Sequence, residues 1–122
     1  MANILIIDDD KSMCYTLSSM VKHMGHDVTS ANTLRDGVKQ VSLKRFDVVF
    51  LDVRLPDGNG LDALPKIQQV PSSPEVIIIT GAGDPDGAEL AIKNGAWDYI
   101  QKPFSKKEVT LQLARALQYR EE

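Results

Sequence analysis

The fold is decided by the stretch Ile4-Leu5-Ile6-Ile7-Asp8-Asp9-Asp10, in which four apolar residues run directly into three aspartates. The apolar run is too short for a helix, is rich in β-branched residues and shows no polar alternation. It therefore predicts a strand that is buried on both faces. Similar runs at residues 48–51 and 76–79 are followed by Asp52 and Thr80. Together these runs predict a parallel sheet with polar side chains at its strand ends.

Two weaker strand patterns and five helical patterns surround these three runs. Residues 27–31 and residues 97–101, the latter just before Pro103, favour strands. The apolar positions at helical spacing include Met13, Leu17, Met20, Val21 and Met24; Leu34, Val38 and Val41; Ala88, Ala91 and Ile92; and Val109, Leu113 and Leu117. The third helix should begin near Asn59, and Pro65 inside it predicts a bend or a late start.

Strand and helix thus alternate five times along the chain. This alternation predicts an α/β fold, a flavodoxin-like doubly wound (βα)5 sandwich with a five-stranded parallel sheet in the order 2-1-3-4-5. In this order a crevice lies beside the carboxyl ends of the first and third strands, and ligand chemistry is expected there. The length of 122 residues suits a single domain.

Composition excludes several classes of protein. Apolar residues make up 43% and charged residues 25% of the chain, and the formal net charge is −3. This balance is typical of a globular domain and offers no basic surface for direct nucleic-acid binding. No apolar run approaches membrane-spanning length, and the amino terminus lacks the basic flank of a signal peptide. Because Cys14 is the only cysteine, we expect no internal disulfide, and we expect a cytoplasmic location.

Five polar residues carry the predicted chemistry, because each follows a strand: Asp8, Asp9, Asp52, Thr80 and Lys102. The carboxyl ends of parallel strands share one rim, so the three carboxylates should converge and repel one another. A divalent cation with oxygen ligands would hold them ionised, and the small number of protein ligands favours Mg²⁺ over Ca²⁺. Asp52 is then a candidate nucleophile for a phosphoryl group, Lys102 a fixed positive charge and Thr80 a hydroxyl donor.

Some of these residues also have a purely structural interpretation. Asp10 is interpreted as the cap of the first helix rather than as a ligand. Lys102 before Pro103 could simply mark a loop, and Tyr99 alone is more often a half-buried strand aromatic than a functional residue. The occurrence of five suitable residues at the ends of four strands favours the functional interpretation.

With these residues in place, the chain resembles the receiver domains of bacterial response regulators over its whole length. Three segments carry the resemblance: Ile6-Ile7-Asp8-Asp9-Asp10, Phe50-Leu51-Asp52-Val53-Arg54-Leu55-Pro56-Asp57-Gly58-Asn59-Gly60 and Asp98-Tyr99-Ile100-Gln101-Lys102-Pro103-Phe104. Thr80 lies where the family has a hydroxyl residue. Residues 81–95 and 95–99 look most like receivers of nitrogen-regulation-type, sigma-54-dependent transcription activators.

The resemblance implies a phosphorylation-activated switch of a two-component system. Asp52 would accept phosphate from a sensor histidine kinase, and Lys102 would bind that phosphate. The Mg²⁺ ion would be held by Asp9, Asp52 and the backbone carbonyl of Arg54, with Asp8 acting mainly through water. Such a domain assists only its own phosphorylation and dephosphorylation, so we do not expect an enzyme acting on a separate substrate.

The resemblance also implies how the signal leaves the domain. Thr80 and Tyr99 would form a coupled switch pair, and the peptide bond between Lys102 and Pro103 would be cis. The output face would comprise the fourth helix, the fifth strand and the fifth helix. It would act on an output domain or a downstream target protein to control transcription, and a homodimer through this face is plausible. Residues 1–122 would then be the receiver domain, either as the amino-terminal domain of a larger regulator or as a stand-alone protein.

Several alternatives stay open at this point. One is a stand-alone chemotaxis-type regulator, and another is a Mg²⁺-dependent aspartyl phosphatase of the haloacid-dehalogenase kind, which needs a second acid where this chain has Arg54. A nucleotide-binding module is suggested by the glycines of residues 81–87, although their spacing misses the dinucleotide fingerprint. A flavin-binding electron carrier shares the fold, but three aspartates after the first strand disfavour a phosphate there.

Overall fold

The computed structural model describes residues 1–81 and 85–121. Its helices and strands in chain order are β1 (Asn3–Ile7), α1 (Lys11–His23), β2 (Asp27–Ala31), α2 (Leu34–Leu43), β3 (Val48–Asp52), β4 (Arg54–Leu55), β5 (Gly58–Asn59), α3 (Gly60–Gln68), β6 (Glu75–Thr80), α4 (Pro85–Lys93), β7 (Asp98–Gln101) and α5 (Lys106–Glu121). Every predicted strand and helix is present. Two short strands, β4 and β5, were not predicted.

The main sheet has five parallel strands in the order β2-β1-β3-β6-β7. Because β4 and β5 form a separate two-stranded hairpin, this is the predicted order 2-1-3-4-5. The register places Ile4 beside Val48 and Phe50 beside Ile77, so the three most apolar strands lie next to one another in the middle of the sheet. The predicted flavodoxin-like fold is confirmed.

The core lies on both faces of the sheet, as expected for strands without polar alternation. Leu5 and Ile7 point to one face, where they join a buried cluster with residues of α2, α3 and α4. Ile4 and Ile6 point to the other face and join residues of α1 and α5. Alternate residues of each central strand therefore anchor opposite helical layers, which fixes the strand ends relative to one another.

Local capping explains where the helices begin. The side chain of Asp10 accepts a hydrogen bond from the amide of Met13 and caps α1, as predicted. Thr33 caps α2 in the same way. The third helix begins near Asn59, as predicted, because α3 starts at Gly60 under the cap of Asn59; the alternative of a late start at Pro65 is wrong, since the helix continues through Pro65. Capping and the burial of the first turn set this start, upstream of the proline.

The hairpin of β4 and β5 follows Asp52 directly. Arg54 pairs with Asn59 and Leu55 with Gly58, and the turn between them carries Asp57. Gly58 has a φ of 150°, a conformation that L side chains rarely adopt. The hairpin therefore shapes the connection between β3 and α3, at the same edge where the polar residues collect.

At the opposite end of the sheet, the last turn of α5 is fastened to the loops that enter β3 and β6. The guanidinium of Arg120 donates to the backbone carbonyls of Ser72 and Ser73 and lies 3.3 Å from Asp47. The rings of Trp97 and Tyr119 are 4.8 Å apart. Trp97 thus packs against the last turns of α5. No helix within residues 1–81 and 85–121 has the length and apolar character needed to cross a membrane.

Candidate functional site

The structure brings the predicted site residues to one edge of the sheet. Asp8 and Asp9 follow β1, while Asp52 and Thr80 end the strands β3 and β6. The nearest carboxylate oxygens of Asp8, Asp9 and Asp52 all lie within 4.8 Å of one another. Lys102 follows β7 and reaches into the same group. The adjacency of β1 and β3 in the sheet is what brings acids from distant parts of the chain together.

Asp8 is the most deeply buried member of the cluster, with an exposed fraction of 0%. Its Oδ1 accepts a hydrogen bond of 3.0 Å from the amide of Asp10. Its Oδ2 is buried, and its partner among the described residues is the ammonium group of Lys102, whose Nζ atom lies 3.2 Å away in an ion pair. Burial raises the pKa of the Asp8 carboxyl, and the charge of Asp52 raises it further, while the Asp10 amide and Lys102 oppose the shift. The site thus holds more negative charge than its donors satisfy.

Asp52 lies beside Asp8 but keeps partners for both oxygens. Its Oδ1 accepts a hydrogen bond of 3.2 Å from the amide of Arg54, and its Oδ2 lies 3.4 Å from the Nζ atom of Lys102. Only 6% of the residue is exposed. Asp9, in contrast, is exposed. The cluster is therefore open to solvent on the Asp9 side and closed behind Asp8.

Lys102 lies between the two buried carboxylates, with its Nζ atom 3.2 Å from Oδ2 of Asp8 and 3.4 Å from Oδ2 of Asp52. Burial alone would lower the pKa of Lys102, but the charges of Asp52 and Asp8 outweigh it and raise the pKa. The backbone amide of Lys102 donates to the carbonyl of Thr80 at 2.7 Å, and the peptide bond to Pro103 is cis, as the resemblance implied. The lysine is therefore a fixed positive charge in the cluster.

Thr80 and Tyr99 occupy different environments. Thr80 is 2% exposed at the end of β6, next to the strand that leads to Lys102. Tyr99 on β7 is 44% exposed and points away from the core. Leu90 of α4 and Leu111 of α5 are also exposed apolar side chains, on the two helices that flank β7 in the chain. The face formed by α4, β7 and α5 thus presents apolar groups to solvent.

The acid cluster has the chemistry of a divalent-cation site. Its ligand atoms are carboxylate oxygens only, and the two buried carboxylates of Asp8 and Asp52 share one ammonium group. Lys102 offsets one of the three negative charges. A hard divalent cation would balance the remaining two. The residues present therefore fit a cation such as Mg²⁺.

Sequence reasoning missed three residues near this edge. The side chain of Asn32 donates to the backbone carbonyl of Asp8 at 2.8 Å, and Asp57 accepts from the amides that begin α2. Gly60 approaches Asp52 so closely that a Cβ atom at Gly60 would lie 2.2 Å from the Asp52 carbonyl oxygen. The Pro56-Asp57-Gly58 sequence did signal a turn, but nothing local pointed to its partners in α2.

Comparison with known proteins shows the family of the chain. The family model of the response regulator receiver domain matches residues 4–114. The chain belongs to this family. The receiver is 35% identical over 115 residues to the transcriptional regulatory protein ZraR of Klebsiella oxytoca, covering 94% of the chain and 26% of ZraR. It is 31% identical over 116 residues to the DNA-binding transcriptional regulator NtrC of Azospirillum brasilense, covering 95% of the chain and 24% of NtrC.

Solved structures agree with this assignment. The solution structure of the beryllofluoride-activated NtrC4 receiver domain dimer superposes with a TM-score of 0.91 at 35% identity, covering 98% of this chain and 99% of that one. The resemblance to receivers of nitrogen-regulation-type activators is thereby confirmed. This receiver spans about a quarter of the length of the curated relatives ZraR and NtrC.

Family membership also bears on the alternatives. It favours the receiver interpretation over the two enzymatic and redox alternatives. The haloacid-dehalogenase-like phosphatase was suggested by a single aspartate, and the flavin carrier by the fold alone. The glycine segment that suggested a nucleotide-binding module runs through residues 82–84, which lie outside the described residues.

Proposed function

We propose that this receiver is a phosphorylation-activated switch of a two-component system, in which Asp52 accepts a phosphoryl group from a sensor histidine kinase in the presence of Mg²⁺. The observation that carries the proposal is the convergence of three carboxylates within 4.8 Å of one another, with the ammonium group of Lys102 shared between Asp8 and Asp52. Three carboxylates beside one ammonium group leave a net negative charge, which like-charge repulsion disfavours unless a cation binds.

The metal site would consist of Asp8, Asp9, Asp52 and the backbone carbonyl of Arg54, the set that the family resemblance implies. Few protein oxygens in such a site leave coordination positions for water and for a phosphate oxygen, which suits Mg²⁺ better than Ca²⁺. When bound, the ion supplies positive charge that lets an anionic phosphoryl group approach the carboxylates.

The transfer itself would use the carboxylate of Asp52 as the nucleophile. A carboxylate oxygen attacks phosphorus of a phosphohistidine, the P–N bond breaks, and the imidazole nitrogen leaves with the electron pair and takes up a proton. The product is an acyl phosphate on Asp52. Lys102, fixed 3.4 Å from Asp52, would neutralise charge on the transferred group, and the hydroxyl of Thr80 would donate to one of its oxygens.

The output would be carried by the face of α4, β7 and α5. In this proposal Thr80 turns toward the phosphate and Tyr99, exposed in the present structure, turns inward. Shifting a two-state equilibrium from mostly inactive to mostly active takes about 5.5 kcal/mol of differential interaction. Several charge-assisted hydrogen bonds together with metal coordination are sufficient for this.

The relatives suggest what the switch controls. ZraR and NtrC are transcriptional regulators, and the chain matches about a quarter of each. We therefore propose an output domain that controls transcription in the cytoplasm, and a homodimer through the α4, β7 and α5 face, as the NtrC4 receiver dimer suggests. The receiver would turn over no separate substrate.

The proposal predicts that treatment with a small phosphodonor and MgCl₂ adds one phosphate to the chain, and that Asp52→Asn abolishes the addition. Intact-mass spectrometry measures both. Asp62→Asn on α3 is the matched control, because it removes an exposed carboxylate outside the cluster and should leave labelling unchanged. Equal labelling of Asp52→Asn and wild type would refute the assignment of Asp52.

A further inference from the structure

Two contacts outside the carboxylate cluster converge on residues 32–35, which form the β2–α2 junction. Asn32 Nδ2 donates a hydrogen bond of 2.8 Å to the backbone carbonyl of Asp8. Asp57 accepts hydrogen bonds from the amides of Leu34, at 2.9 Å, and Arg35, at 3.0 Å. The β2–α2 junction contributes no carboxylate to the site. It nevertheless contacts the segment that carries Asp8 and the hairpin that follows Asp52.

The first contact holds the Asp8 side of the site. The amide of Asp8 donates to the carbonyl of Ala31 at 3.0 Å, and the carbonyl of Asp8 accepts from Asn32. The backbone of Asp8 is thus bonded on both sides to the end of β2. Because the Asp8 side chain is also fully buried, its position depends on where the β2–α2 junction lies.

The second contact holds the Asp52 side. Asp57 lies in the turn of the β4–β5 hairpin, and Arg54 in the same hairpin donates its amide to Oδ1 of Asp52 at 3.2 Å. The hairpin also packs on α2, because a Cβ atom at Gly58 would lie 3.2 Å from Cδ1 of Leu34. The position of the Asp52 and Arg54 segment therefore depends on the same junction.

A fixed spacing matters here because the two segments carry like charges that repel one another. The amides at the start of α2 provide a strong anchor for a carboxylate, since they are otherwise unpaired and lie at the positive end of the helix dipole. Thr33 already accepts from the amide of Asp36, so Asp57 fills the two positions that the helix's own cap leaves open.

We propose that Asn32 and Asp57 are positioning residues that hold the Asp8 and Asp9 segment and the Asp52 and Arg54 segment at the spacing that a cation and a phosphoryl group require. This inference rests on the proposed function. Neither residue contacts the reacting atoms, and each acts through the β2–α2 junction.

The contacts could instead serve stability alone, and cation affinity separates these two roles. A residue that only stabilises the fold changes the unfolding free energy but leaves the Mg²⁺ affinity of the folded protein unchanged. A positioning residue changes that affinity. The amides of Asp10 and Arg54 donate to Asp8 and Asp52, so their NMR shifts report cation binding without any phosphorylation.

The experiment titrates MgCl₂ into wild type, Asn32→Ala and Asp57→Ala and follows these two amides, with thermal unfolding recorded for each variant. Asp62→Ala controls for loss of an exposed carboxylate. Asn94→Ala controls for loss of an asparagine that donates to one backbone carbonyl, that of Leu90, at the other end of the sheet. If Asp57→Ala does not fold, the titration uses Asp57→Asn in its place, because the asparagine side chain keeps one acceptor oxygen.

We expect Asn32→Ala and Asp57→Ala each to weaken Mg²⁺ binding about tenfold, as removal of groups that orient metal ligands commonly does. The phosphorylation rate with a small phosphodonor should fall in parallel, and both controls should match wild type. Both contacts act through one junction, so the loss of either contact already releases the spacing between the two segments. The double variant should therefore bind Mg²⁺ no more weakly than the single variant with the lower Mg²⁺ affinity.

Three results would overturn the inference: wild-type affinity in both single variants, an equal loss in Asp62→Ala, or additive losses in the double variant. A wild-type chain that binds no Mg²⁺ would overturn the proposed function and this inference with it. If wild type binds Mg²⁺ and is phosphorylated, and the Asn32 and Asp57 variants bind Mg²⁺ with the same affinity, the positioning role is rejected and the proposed function stands.

Discussion

At the scale of single residues, Asp8 stands out because it is a fully buried carboxylate that shares the ammonium group of Lys102 with Asp52. Its pKa is raised above the ordinary value of 3.8, first by burial and then by Asp52. The folded protein therefore binds this proton more readily than the unfolded chain does, so stability falls as pH rises through the raised pKa. The ionised form of Asp8 therefore costs the folded state stability, and a bound cation would reduce this cost.

We expect Asp8→Asn to raise the free energy of unfolding by about 1 kcal/mol in the absence of divalent cations, because a buried carboxylate that is repelled by Asp52 is removed. Urea denaturation with a chelator present measures the change. Asp9→Asn is the control, since Asp9 is exposed and its loss should change stability less. A less stable Asp8→Asn variant would show that the ion pair with Lys102 stabilises the fold by more than the burial of the Asp8 charge destabilises it.

Gly60 is the second residue whose environment dictates its identity. A Cβ atom there would lie 2.2 Å from the carbonyl oxygen of Asp52, so Gly60→Ala should force the end of β3 and the start of α3 apart and destabilise the protein by roughly 2 kcal/mol. Denaturant unfolding tests this expectation. Gly81→Ala is the matched control, because nothing lies within 4 Å of a Cβ atom at Gly81. Equal stability of both variants would contradict the close approach.

At the scale of secondary structure elements, the amino end of α2 is capped by two side chains. Thr33 comes from the helix's own start, whereas Asp57 comes from the β4–β5 hairpin. Hydrogen bonds from the amides of Arg35 and Leu34 lower the pKa of the exposed Asp57 carboxyl. The ionised carboxylate is therefore the form that links the hairpin to the helix.

This link should appear in the pH dependence of stability. Because the pKa of Asp57 is lowered in the folded state, its contribution is present above the unfolded value of 3.8 and is lost as pH falls through the folded pKa. We expect Asp57→Asn to be less stable than wild type at neutral pH, with the difference shrinking below pH 3.8. Unfolding free energies across this range provide the test, with Asp62→Asn as control, and a difference that grows toward acid would contradict it.

At the scale of the whole molecule, two buried layers hold the sheet from both sides while the acids repel one another at one edge. The core thus supports a site that is electrostatically unfavourable without a cation. Ligand binding to the folded state only adds RT ln(1 + [L]/Kd) to stability.

Mg²⁺ should therefore stabilise the whole domain. At a free Mg²⁺ concentration about ten times its Kd, we expect a gain of about 1.4 kcal/mol in the unfolding free energy, seen as a higher melting temperature. KCl at the same ionic strength is the control, and Asp52→Asn should reduce the gain. Identical melting curves with MgCl₂ and KCl would show that the acid cluster does not bind the ion.

Sequence patterns were sufficient to predict the five strands of the main sheet, the five helices, the strand order and the family. Strand runs such as Ile4 to Ile7 and caps such as Asp10 and Thr33 are local signals, because the partner of each cap is only three residues away. The site residues Asp8, Asp9, Asp52, Thr80 and Lys102 could be predicted because strand ends in a parallel sheet must share one edge.

The interactions among the site residues depend on the tertiary structure and could not be predicted from the sequence. The β4–β5 hairpin was missed because strands of two residues carry no periodic pattern. Asn32 and Asp57 were missed because their partners lie 24 and 23 residues away, and the repulsion between Asp8 and Asp52 exists only once the fold brings these two carboxylates together. Periodicity and capping depend on neighbours in the chain, whereas burial, charge balance and long-range hydrogen bonds depend on which distant segments the fold brings together.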